Sequence, residues 1–288
     1  MNEWGKIITC TSVYIKKAVT NIRWYLAMVT SLIFHYYAFH ELGRACEVLS
    51  TKVCVWLFPF YLGGGPMFLT FGGLAMLLFC DFPQIDSSAA FYLIRVGKKG
   101  FLISQILTVF CVSALYTAIN AMIPIALLAP YADFSNDWGK LFRSLLSNPE
   151  ILYSLGIRVS FALSAEVMSV LTPLSAFGIS ILLFWLGTSF LGLVILSFQI
   201  LFGNGAGLKA SGILTCIGYF SSVLGRLTYG RISVIVSPVS WSSISLLDWD
   251  GGAFTARKVI LLYIGIDLIL CAFALAKYCR RDIRPVGR

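Results

Sequence analysis

Apolar positions along this chain come in long, nearly unbroken runs rather than in the short alternations of a soluble domain. Six runs reach or approach the ~20 residues that cross a ~30 Å hydrocarbon core, at about 24–42, 59–80, 101–130, 173–202, 208–225 and 258–278. They predict an all-α, polytopic membrane protein with six transmembrane helices. The second run is interrupted by Gly63, Gly64, Gly65 and Pro66, a break tolerated at membrane depth only where protein or water satisfies the freed backbone groups. Residues 1–23 read as an amphipathic N-terminal interfacial helix, and 24–288 as a single transmembrane domain. In the N-terminal arm Ile7, Ile8, Tyr14, Ile15, Val19 and Ile22 fall largely on one face, with Lys6, Lys16, Lys17 and Arg23 elsewhere. Trp4 and Trp24 mark headgroup level, and the polar residues from Asn2 to Arg23 argue against a cleaved signal peptide.

Composition agrees. The 288 residues are 58% hydrophobic and 12% charged, with a mean hydropathy of +0.85, which leaves no room for a large soluble domain. Charge supplies direction. With a cytoplasmic N-terminus, the inner segments hold thirteen basic and four acidic residues, the outer ones nine basic and eight acidic. The inner excess of +9 predicts a multi-pass cell-membrane protein with both termini in the cytoplasm. The basic balance then reflects topology and anionic membrane lipids, not a nucleic-acid partner.

The first inner loop, "CDFPQIDSSAAFYLIRVGKKG" (80–100), has a structure of its own. Pro83 stops the preceding run. Asp86, Ser87 and Ser88 are N-cap types, and Gly97 and Gly100 around Lys98 and Lys99 end a short helix whose acid-to-base order suits its dipole. Phe91, Tyr92, Ile94 and Arg95 would lie on it. Two readings stand: a surface helix anchored by its aromatics, or a lever on which another protein pushes.

The candidate chemistry is sparse. The cluster from Gly203 to Gly207 with Lys209 has Leu208 where a Walker motif needs glycine, so it reads as a tight turn and any ATPase must be another chain. His35 and His40 are five apart, a spacing that splits a metal-binding face, so they read as interfacial anchors beside Tyr36 and Tyr37. No metal site and no cofactor is expected. Asp267 falls mid-run in 258–278, where a carboxylate must face the bundle interior, a water path or a basic partner. It reads either as a cation, proton or substrate site or as an interhelical hydrogen bond. Asn120, Gln105 and Gln199 are milder candidates for the same interior, and Glu166 for the outer opening. Of eight scattered cysteines, Cys46 and Cys54 are the one pair sharing a loop, and so the one pair that can bridge.

This layout resembles the permease subunit of ABC-2 type transporters. "DFPQID…FYLIRVGKKGFLISQIL" and "YADFSNDWGKLF" (131–142) are similar to permease-like membrane proteins of Gram-positive bacteria. The resemblance implies a coupling helix near 82–99 that docks on a separate ABC ATPase through Phe91, Tyr92, Ile94 and Arg95. It also implies a second permease subunit, identical or related, and a re-entrant or extracellular helical segment between spans five and six, here 226–257. The outer segment 131–172 departs from the family in its length. The expected function is the membrane-spanning subunit of an ATP-driven exporter. A non-transporting scaffold, sensor or immunity protein, and an ion-coupled carrier using Asp267, are the alternatives.

Overall fold

The computed structural model describes residues 2–85, 87–148, 163–203, 205–225, 231–249, 252 and 254–280, with backbone alone for Arg231, Cys279 and Arg280. The N-cap candidate Asp86, the middle (149–162) of the segment expected to be outer, residues 226–230 and the basic tail from Arg281 lie outside it. Helices make up about 81% of the structure. Among the described residues the strands are two-residue pieces, Val53–Cys54 paired in parallel with Ala132–Asp133. The class is all-α.

Helix α1 (Glu3–Thr20) starts where Asn2 accepts a hydrogen bond from the Gly5 amide at 3.2 Å. Its buried stripe is Ile7, Cys10, Thr11, Tyr14 and Ala18, a helical spacing whose small members let it pack closely on the later helix α5 (Ala89–Leu127). The expected apolar face is therefore split: Ile7 and Tyr14 turn inward, whereas Ile8 and Ile22 stay exposed. Asn21 closes α1 and caps α2 (Ile22–Leu49) by accepting from the Arg23 amide.

The second expected span is not one continuous helix. Its residues form a single turn, α3 (Phe58–Tyr61), then α4 (Gly65–Phe79), which restarts with Pro66 in its first turn. The glycines between them cost a helix too much backbone entropy to be crossed, and Pro fits a first turn. Helix α5 (Ala89–Leu127) is likewise two rods, because Gly97 has φ 76° and ψ 164° and breaks the ladder between 89–96 and 98–127. Beyond it come α6 (Gly139–Ser147), α7 (Ala165–Val170), α8 (Pro173–Phe202), α9 (Ala206–Leu224), α10 (Arg231–Val236) and α11 (Ala256–Arg280).

Among the described residues four helices are long and apolar enough to cross a membrane: α5, α8, α9 and α11. The expected spans 24–42 and 59–80 fall on α2 and α4, which do not meet that standard. The 28 residues of α2 are diluted by His35, Tyr36, Tyr37, His40 and Glu41. The 15 residues of α4 are apolar but rise only about 22 Å. Helix α8 is the axis, with α4, α5, α9 and α11 packed around it.

Inter-element contacts sort to opposite ends. At one end Arg23 pairs with Asp81, Lys17 donates to Ser88 at 2.7 Å, the Gln84 amide donates to Gln105, and Tyr278 stacks on Phe101. The other end gathers the strand pair, Tyr131 against Glu47, and Trp138 donating to the Leu171 carbonyl at 2.8 Å.

Candidate functional site

The short helix 89–96 is held to the bundle along one side and open along the other. Tyr92 packs edge-on to Tyr14, their centroids 5.7 Å apart, and Tyr14 repeats that geometry with Phe101. The Lys17 ammonium sits over both tyrosine rings, 5.0 Å from Tyr14 and 5.8 Å from Tyr92, a cation–π arrangement. On the open side Phe91 is 62% and Ile94 88% exposed, and Arg95 is exposed beside them. The four residues assigned to docking thus divide: Phe91, Ile94 and Arg95 point outward, and Tyr92 is the strut that holds them there.

The four interior polar candidates are not brought together. Asn120 and Gln105 share α5 but stand about 22 Å apart along it. Gln105 accepts from the Gln84 amide at 3.2 Å and so pins the 80–88 loop to the bundle end. Gln199 is half-buried near the end of α8, where its backbone carbonyl accepts from Gly203. Asp267 is buried in α11, one turn past Tyr263, and neither carboxyl oxygen has a hydrogen-bond partner among the described residues. Glu166 is exposed in the first turn of α7.

Asn120 belongs to a buried polar cluster that sequence reasoning missed. Its side-chain oxygen accepts from Ser31 and its amide donates to the Tyr116 carbonyl at 2.8 Å. The Tyr61 and Tyr116 hydroxyls both lie close enough to Ser31 to interact with it. His35 completes the group, its Nδ1 2.9 Å from the Ser31 carbonyl and its ring stacked on Tyr61. This corrects the expectation of an interfacial anchor. His35 is fully buried, while Tyr36, Tyr37 and His40 face outward. The signal was present in the spacing: Ala27, Ser31, His35, Ala38 and Leu42 form one stripe, and its small residues bring α2 against α5.

At the end opposite helix 89–96, residues 237–247 fold into the bundle, while Ile232, Ile235 and Val236 just before them stay exposed. The Trp241 indole donates to the Val234 carbonyl at 2.8 Å and packs on Tyr263, whose hydroxyl meets Ser242 at 2.9 Å and donates to the Pro238 carbonyl. Gly187 of α8 makes room for this, since any Cβ there would overlap the Ser242 hydroxyl. Nearby, Cys46 and Cys54 are buried free thiols, and burial pushes the Cys54 thiol up to about 11.

Comparison with protein-family models, with curated proteins and with solved structures finds no match to this chain.

Proposed function

We propose that the chain is the membrane-spanning permease subunit of an ATP-driven exporter of the ABC-2 type, with α2 and α4 completing six crossings and both termini cytoplasmic. One observation carries this reading. A short helix, jointed by Gly97 to the long rod 98–127, offers Phe91, Ile94 and Arg95 to an outside partner while Tyr92 ties it to α1. A separate ATPase would take the apolar pair into a groove and the arginine against acid. Its closure on ATP would push helix 89–96, and α1 and the long rod would move with it. A second permease subunit would complete the path.

A tagged chain purified from its native membrane in mild detergent is expected to bring down a P-loop ATPase, and Phe91→Ala with Ile94→Ala to release it without loss of helical content. Retention of the ATPase by that variant, or none with the wild type, defeats the proposal. The second reading, a non-transporting scaffold, sensor or immunity protein, draws support from the dispersal of Asn120, Gln105, Gln199 and Asp267 over separate surroundings. An ion-coupled carrier draws on the buried Asp267.

A further inference from the structure

A cleft of about 710 Å³ opens between the start of α1 and the Gly97 break. Two stretches of chain wall it: residues 3–7 at the start of α1, and residues 95–103, which run from the end of the short helix across the Gly97 break into the long rod. Lys6, Arg95, Lys98 and Lys99 line it against the single carboxylate of Glu3, a net charge of about +3 within one concavity. Arg95 and Lys99 are exposed, and Lys6 and Lys98 are half-buried. Its floor is apolar, made by Ile7, Val96 and Ile103, and Trp4 stands at the rim with 65% of its surface exposed.

We propose that this cleft binds the phosphodiester headgroup of an anionic phospholipid, with the glycerol and upper acyl carbons on the apolar floor. The charge calls for an anion. The floor calls for an apolar continuation, which a free phosphate lacks. The exposed Trp4 and Ile8 on the same stretch of α1 suit the headgroup layer of a bilayer. Four basic side chains in one place are the density that selects anionic over zwitterionic lipid. Because the walls come from both sides of Gly97, a bound phosphate ties Lys6 on α1 to Arg95 before the break and Lys99 after it, and so fixes the angle of the short helix. Binding itself does not rest on the exporter reading. A failed ATPase pull-down leaves it standing, and the reverse also holds.

The test is native mass spectrometry of the full-length chain in mild detergent, titrated with phosphatidylglycerol or with phosphatidylcholine of the same acyl chains. One phosphatidylglycerol is expected to bind preferentially, with Lys6→Gln plus Lys99→Gln weakening it about 30-fold at roughly tenfold or less per charge. Lys6→Arg plus Lys99→Arg should restore binding, which separates lost charge from a lost fold. Lys16→Gln plus Lys209→Gln removes two exposed basic residues that do not line the cleft, and should change nothing. Equal retention of the two lipids, equal weakening by both glutamine pairs, or displacement of the lipid by millimolar glycerol 3-phosphate would each overturn the proposal. The last outcome would make the ligand a soluble phosphate.

Discussion

The His35 imidazole lies flat on the Tyr61 ring, centroids 3.8 Å apart and planes 12° from parallel. This stack joins α2 to the single turn α3, a piece of chain that has few backbone hydrogen bonds of its own. His35 also contacts the Ser31 carbonyl, and Ser31 in turn donates to Asn120 of α5. Three elements therefore meet through one buried polar group, where an unmatched donor or acceptor is expensive.

His35→Ala should therefore destabilise the fold by about 2–4 kcal/mol, the range for emptying a large buried site. His35→Phe keeps the stack and loses the polar contact, at about 1 kcal/mol. Denaturation in mixed detergent micelles, read by helicity, ranks the two. Equal behaviour of both variants and wild type would remove the stack from any structural role.

Tyr92 and Phe91 are neighbours with opposite duties. Tyr92→Ala should free helix 89–96 from Tyr14 and raise amide hydrogen exchange across 89–96 by about tenfold or more, as expected when a local element loses its main buried contact. Phe91→Ala should leave that exchange unchanged, because the Phe91 ring is mostly in the open. Matching exchange profiles for the two variants would contradict the assigned strut.

Gly187 governs how residues 240–247 meet α8. Gly187→Ala forces its methyl against Ser242 and Tyr263 and should cost about 1–3 kcal/mol, the usual cost of overpacking. Adding Ser242→Ala should recover part of the loss, since it removes the overlapped hydroxyl. A double-mutant cycle of thermal unfolding in detergent measures this coupling, and strict additivity would show that the segment yields instead.

At the strand pair, the Ser135 amide donates to the Asp133 carboxylate at 2.9 Å and holds that carboxyl below its ordinary value of 3.8. A depressed carboxyl adds stability that is complete above its unfolded value and lost as pH falls through the folded one. Exchange at the Ser135 and Val55 amides should therefore quicken as pH falls below about 3.8, after correction for intrinsic rates. Asp133→Ala should flatten that dependence, and an unchanged pH profile in this variant would assign it to another group.

Much of the short helix was legible in advance, because Pro83 and Gly97 are local signals whose meaning depends on backbone conformation alone; Ser88 precedes the helix but makes no capping bond, its hydroxyl accepting from Lys17 instead. Gly97 sits at the break as read, whereas Gly100 continues inside the next rod: a glycine permits a helix end without requiring one. The buried cluster was legible only as a stripe, Ala27, Ser31, His35, Ala38 and Leu42, and not as a covered one. A histidine beside two tyrosines has the composition of a headgroup anchor, and only the approach of α3 and α5 shows which side of α2 is covered.

Sequence by itself determined the membrane class, four of the six expected spans as long apolar helices, and the alternation that sorts loops to two ends, because each follows from the transfer free energy of a contiguous run. Tertiary structure alone decided that Tyr92 points inward while Phe91 points out, that His35 enters the core, and that two distant stretches of chain enclose a basic cleft. Those outcomes depend on which surfaces meet, and local periodicity can mark a face able to pack without naming what packs on it.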